Sequence, residues 1–312
     1  MTMAPFEEIR QRLTLPLIAA PMFLVSGPDL VLASCRAGVI GAFPTANART
    51  SAELATWLTR IHAERPADSG AVAPNLIVHP GNARLGEDLA VLLEQPTEMV
   101  ITSVGSPAQV VEPLHRAGSL VFADIASVRH AHRAIDAGVD GLILLSAGAG
   151  GQTGWANPFA FVRSVREFYD GPVVLAGGIS DGIALRAALT LGADLAYMGT
   201  KFLATTESLA PDGHKQMVTA ATLDDITLTP AFTGLPTSML TPSIQALGID
   251  PKALQDNDPA IGNLLSQAHI TNAWRDLYSA GHSTGGVHDV LTVAELVERT
   301  RKEFEPFGRR GC

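Results

Sequence analysis

Cysteine is nearly absent from this chain of 312 residues: Cys35 falls within an apparent helix and Cys312 is the last residue. That leaves no disulfide framework and no cysteine-based zinc spacing, and it points to a reducing compartment. Charge is sparse as well, at 17% of residues, with Lys and Arg scattered and a net charge of -9. No basic stripe is available to meet nucleic acid or an anionic membrane surface. No uninterrupted apolar stretch reaches the length of a membrane span, and the opening "MTMAPFEEIRQRLTLP" lacks the apolar centre of a signal peptide. No HxH, HExxH or CxxC spacing falls at a strand end, which sets metal catalysis aside, and no GxSxG elbow offers a hydrolase nucleophile. The expected protein is soluble and cytoplasmic, its expected partner is a small molecule, and a homodimer is an assembly left open.

The chain does have apolar residues, 46% of the total, gathered into short runs. In order they are "LPLIAAPM", "GVIGAFPT", "VAPNLIVH", "EMVITSVG", "SLVFADIA", "GLILLSAG", "PVVLAGGI" and "LAYMGTKFL". Segments of helical period such as "TSAELATWLTRIHAE", "SVRHAHRAIDAG" and "GIALRAALTLGA" lie between them. Strands alternating with helices imply a parallel sheet covered by helices. An open doubly wound sheet competes with a closed barrel. The strand count, the lack of GxGxxG after the first strand and the Gly, Ser and Thr after strands six to eight favour closure. The expected fold is a (β/α)8 TIM barrel carrying a mostly helical lid between its last strand and last helix. Residues 1–206 and 286–312 make the barrel in this reading, and 207–285, rich in turn signals and prolines, make the lid. "TVAELVERTRKEFE", Thr292 to Glu305, supplies the last helix.

In such a barrel, ligands meet the carboxyl ends of the strands, with phosphate commonly held by the loops after strands seven and eight. Here those loops read "AGGISDG" and "GTKF". Ala176, Gly177 and Gly178 let backbone N–H groups approach an anion, Ser180 or Asp181 caps the next helix, and Gly199 and Thr200 close the site. Gly148, Gly150 and Gly151 end strand six; glycine's entropic cost suggests that side chains were cleared there for a flat ligand. Gln152 either points into the cavity or caps that loop. Ala20, Pro21 and Met22 stand at the mouth of strand one, Met22 serving equally well as core. Asn75 either donates to a ring ligand or is a satisfied core amide. His130 and His132 read as solvated, whereas His282, among Gly281, Gly285 and Gly286, stands where the lid returns to the barrel.

Taken in order, "AAPM", "PNLIV", "AGVDGLILLSAGAGGQTG", "PVVLAGGISDG" and "LGADLAYMGTKFLATTES", continued by "GHKQM", "TGLPTSML" and "SAGHSTGG", resemble the nitronate monooxygenase family, formerly 2-nitropropane dioxygenases. The resemblance implies non-covalent FMN, with phosphate at Gly177, Gly178, Gly199 and Thr200 and the ring near Ala20, Met22, Asn75, Gly150 and Gly151. It implies oxidation of alkyl nitronates with O2, Gln152 donating to the anionic substrate while His282 or Lys215 adds positive potential. Two departures stand out. Gln152 occupies a position where many members carry a His that acts as base or orients substrate, and an amide takes no proton at neutral pH. Asp124, in "VFADIAS", stands where related sequences often have a flavin-contacting Lys, and an acid there disfavours negative charge on the flavin. The alternatives are a flavin-dependent dehydrogenase or enoyl reductase using NAD(P)H on a conjugated carbonyl, acyl-CoA thioester or quinone, and a flavin-binding protein without turnover.

Overall fold

A computed structural model describes residues 5–254 and 277–305. The apolar runs become β1 (Leu17–Ala19), β2 (Ile40–Pro44), β3 (Val72–Ile77), β4 (Met99–Ser103), β5 (Leu120–Ile125) and β6 (Gly141–Leu145). After a two-residue β7 (Gly151–Gln152) that belongs elsewhere, β8 (Val173–Ala176) and β9 (Leu195–Met198) complete the set. The strands pair in parallel in the order β1-β2-β3-β4-β5-β6-β8-β9, and β9 closes on β1 with Ile18 opposite Tyr197. The closed barrel is the observed fold.

Side chains alternate across each strand, so one set meets the surrounding helices and the other fills the barrel. On β6, Leu142 and Leu144 pack outward, while Ile143 joins Ile18, Ile40, Met99, Phe122 and Val174 inside. Gly141 makes room for Phe122, since a Cβ at Gly141 would lie 2.2 Å from the ring's Cε1. A strand-interior glycine weakens its strand, and here close packing explains it. The helix Pro5–Gln11 covers the amino end of the barrel, burying Ile9 and bringing Phe6 to 5.6 Å from Phe122.

The amphipathic segments form the outer ring. Thr50, Ser127 and Asp181 cap the helices Ser51–Glu64, Val128–Asp136 and Gly182–Leu191 by accepting from the N–H of Glu53, His130 and Ala184. The last helix, Val293–Phe304, starts in a reciprocal capping box between Thr292 and Glu295. It packs against Gly182–Leu191, where a Cβ at Gly182 would lie 2.1 Å from the Phe304 nitrogen. Cys35 is buried, and that burial pushes its thiol up to about 12; Cys312 lies outside the described residues. No helix among the described residues is long and apolar enough to cross a membrane.

Between β9 and the last helix the chain crosses the carboxyl end of the barrel. It forms the helices Thr200–Leu203 and Asp212–Ala220, then antiparallel β10 (Ile226–Thr229) and β11 (Thr237–Leu240), then the helix Thr241–Ala246. β11 also pairs with β7, setting Thr237 opposite Gln152 and Ser238 opposite Gly151. This hairpin leaves little trace in the sequence because its alternation is inverted: Thr227 and Thr229 are buried, while Leu228 is 52% exposed.

Candidate active site

A cavity of about 1200 Å³ lies over the carboxyl ends of the strands and beneath the inserted segment. Ligand pockets usually span about 300–1,000 Å³, so a mononucleotide leaves room for a second small molecule. Its floor is the uppermost inward-facing layer of the barrel, two residues above the apolar one. Ala20, Asn75, Ser103, Asp124, Ala176 and Tyr197 all line it.

Asn75 is 6% exposed and satisfied: its Nδ2 donates to the Ile101 carbonyl at 3.3 Å and to Ser103 Oγ at 3.1 Å, which fixes the amide against β4. Asp124 and Tyr197 are not satisfied. Oδ1 of Asp124 and Oη of Tyr197 are both buried without a hydrogen-bond partner. Burial pushes the Asp124 carboxyl up to about 8. The Tyr197 hydroxyl rises well above its ordinary range through burial and the neighbouring Asp124.

Of the glycines after β6, Gly148 and Gly150 also face the chain's own returning segment. A Cβ at Gly150 would lie 2.7 Å from the Gly281 nitrogen, and one at Gly281 would lie 2.6 Å from the Gly150 nitrogen. Gly148, at φ +91, would meet the His282 imidazole at 2.7 Å. The cleared space at Gly148 and Gly150 is therefore occupied by the chain's own returning segment, although both residues still border the cavity. Gly151 has φ +65 and runs directly into the β7–β11 pairing.

The loop after β8 does face open space. Gly178 has φ +72 with nothing within 4 Å of a notional Cβ, while Gly177, at φ +115, has none because Ser146 Oγ would lie 2.4 Å away. Between the expected caps it is Asp181 that caps the following helix, accepting from Ala184 N–H at 2.7 Å. Across the cavity, Gly199 lies beside Ala20 and Met22, and the Thr200 hydroxyl accepts from Gly281 N–H at 2.9 Å. Pro21 and Met22 border the same space.

Gln152 lines the cavity, and its side-chain amide donates no hydrogen bond among the described residues. Two expected partners do not join it. His282 is exposed and absent from the lining; its N–H donates to the Gly148 carbonyl at 2.9 Å, and it braces that loop from behind. Lys215 is buried, donates to the Ser208 carbonyl at 3.1 Å and borders a separate recess of about 280 Å³. Both corrections have one cause, since proximity to the mouth in sequence does not fix which way a side chain turns. The neighbour of Lys215, His214, does line the cavity. It stacks on Tyr278 at 4.4 Å, its Nε2 lies 2.9 Å from the Ser279 carbonyl, and burial lowers its pKa to about 4, so it is neutral at ordinary pH.

A basic rim was missed. Arg129, His130 and Arg133, on the helix after β5, border the cavity, and neither arginine has an ion-pair partner among the described residues. Desolvation, with the two arginines, lowers the pKa of His130. Arg129 and Arg133 at i and i+4 on a helix that begins at the barrel mouth was the available signal. Trp155, 83% exposed, stands at the same opening. Leu24 and Val104 hold φ of +60 and +56 on cavity-lining loops, a costly conformation that concentrates at functional sites.

No cluster of metal-ligating side chains is found among the described residues. The nitronate monooxygenase family model matches residues 71–303. The nitronate monooxygenase of Paraburkholderia phytofirmans is 31% identical over 280 residues, covering 76% of this chain and 76% of its own. The (3aS,4S,5R,7aS)-5-hydroxy-7a-methyl-1-oxo-octahydro-1H-indene-4-carboxyl-CoA dehydrogenase of Mycobacterium tuberculosis is 30% identical over 228 residues, covering 72% of this chain and 62% of its own. Among solved structures, nitroalkane oxidase from Streptomyces ansochromogenes superposes with a TM-score of 0.79 at 28% identity, over 95% of this chain and 97% of that one.

Proposed function

The chain belongs to the nitronate monooxygenase family and is a flavin-dependent oxidoreductase, and from that premise we propose that it holds FMN at the barrel mouth and oxidises alkyl nitronates with O2. The residues present suit the cofactor. Gly177 and Gly178, before the amino end of the helix Gly182–Leu191, offer open backbone to a phosphate, and Gly199 and Thr200 flank it. The Thr200 hydroxyl accepts from Gly281 and keeps its own proton to donate. Ala20, Pro21, Met22, Asn75, Ala176, Gly150 and Gly151 border the space left for the ring. When bound, the flavin takes electrons from the substrate.

The observation that carries this reading is the free amide of Gln152 inside the cavity. An amide donates to a nitronate oxygen but removes no proton from carbon, so the residue suits a substrate that arrives ionised. His214 is a poor replacement for the missing base, because its Nε2 is committed to Ser279 and burial lowers its pKa to about 4, which makes it a weak proton acceptor. Arg129 and Arg133 at the rim give an incoming anion a favourable path across an otherwise acidic protein. The family match favours this reading over a nicotinamide-dependent reductase or dehydrogenase and over a flavin binder without turnover.

The test is oxygen uptake by the flavin-loaded protein. Propyl nitronate is expected to drive uptake and neutral nitropropane to drive little or none. Uptake with neither removes the reading.

A further inference from the structure

Four buried side-chain atoms among the described residues lack a hydrogen-bond partner, and two of them, Asp124 Oδ1 and Tyr197 Oη, belong to one floor. Native interiors rarely leave buried polar atoms unpaired, and each such atom calls for a cause. Both residues occupy inward positions at the carboxyl ends of their strands, Asp124 on β5 opposite Ile143 of β6 and Tyr197 on β9 opposite Ile18 of β1. Neither donates to the other, although they are close enough for Asp124 to raise the pKa of Tyr197.

We propose that Asp124 remains a neutral carboxylic acid at ordinary pH and, together with the Tyr197 hydroxyl, forms a pair of uncharged donors on which the flavin ring system rests, so that flavin binds only while Asp124 carries its proton. This rests on the flavin site described above and adds to it the protonation state that the site requires. An ionised carboxylate needs a cation or several donors when taken out of water; Oδ1 of half-buried Asp124 has neither, and the residue lines the cavity that a bound ring would close over. The groups around it bear this out from every side. β4 presents Ser103 and β3 presents Asn75, which are already bonded to each other. β6 presents Ile143, β8 Ala176 and β9 Tyr197. From the helix Val128–Asp136 come Arg129, His130 and Arg133, and from the inserted segment comes neutral His214. Neither arginine offsets the desolvation of Asp124, which pushes its carboxyl up to about 8. A flavin ring offers carbonyl and imine acceptors at its polar edge; a neutral acid donates to them, whereas a carboxylate repels them.

The experiment is the dissociation constant of FMN from apoprotein between pH 6 and 9.5, followed by quenching of flavin fluorescence. Wild type is expected to bind with constant affinity up to about pH 7.5 and to weaken beyond about 8, approaching a tenfold loss per pH unit. Asp124→Asn, which donates at every pH, is expected to bind near the wild-type low-pH affinity with a flat profile, and it also reports the flavin's own titration. Tyr197→Phe is expected to weaken binding severalfold without moving the midpoint. A flat wild-type profile overturns the proposal whether or not the variants fold, and so does a profile that Asp124→Asn shares. If neither protein takes up FMN at any pH, it is the proposed function that fails.

Discussion

Phe122 and Asp124 lie two residues apart on β5 and turn to the same interior, yet their surroundings oppose each other. Phe122 is fully buried in hydrocarbon, with a glycine opposite to admit its ring. Asp124 sits beneath a large cavity with an oxygen that bonds to nothing. The lower layer is shaped for close packing, and the upper one leaves polar groups unsatisfied for something that comes from outside. A single strand thus divides its inward face between stability and recognition, as expected of a barrel whose chemistry resides at one end.

Substitutions at the two levels should separate these roles. Phe122→Ala is expected to cost the most, about 3–5 kcal/mol in chemical denaturation, because the cavity left behind adds to the lost burial. FMN affinity of the folded fraction should change less than twofold, and a comparable loss of affinity would erase the distinction between the layers. Gln152→Ala works the other way. It removes a hydrogen bond to a charged substrate, about 1.5–3 kcal/mol, so kcat/KM for propyl nitronate should drop about tenfold to a hundredfold. Its melting temperature should barely move. Gln152→His restores a group able to take a proton and should add turnover of neutral nitropropane, rising with pH as the imidazole deprotonates.

At the rim, replacing Arg129 and Arg133 together by Ala should lower kcat/KM for the nitronate a fewfold at low ionic strength, with the difference vanishing in high salt. The last contrast is one of slope. The carboxyl of Asp124 is raised on folding, so between about pH 4 and about 8 the folded apoprotein holds a proton that the unfolded chain has released. Its contribution to stability is complete below about pH 4 and is lost as pH rises to about 8. Urea denaturation of apoprotein should show that decline for wild type and a flatter profile for Asp124→Asn. Equal slopes would place the charge on Asp124 in both states.

The barrel was legible because every strand is buried on both faces, and eight apolar runs separated by helical stretches have few other uses. The last helix was legible through Thr292 and Glu295, whose capping box fixes its start within one residue of the expectation. β10 was not, because its buried face is threonine and its exposed face carries a leucine. The site divides in the same way. Residues on strands or immediately after them, such as Asn75, Asp124, Gln152 and Gly178, reach the cavity because the strand direction carries them there. His282 and Lys215 lie in the inserted segment, where no periodicity reports orientation, and they turn elsewhere. Arg129 and Arg133 were overlooked because their helix looks like any solvated one until the face that carries both is set beside the mouth.

Gly150 and Gly281 each occupy the volume that the other's missing side chain would need. An exchange of inserted segments between members of this family would thus carry a hidden condition. Residues far from that contact can vary in length and kind, but a donor segment fits this barrel only if it too arrives bare at the point where the two backbones meet. One methyl group on either side would hold them apart, and the doorway to the chamber would be recut by an atom that touches no substrate.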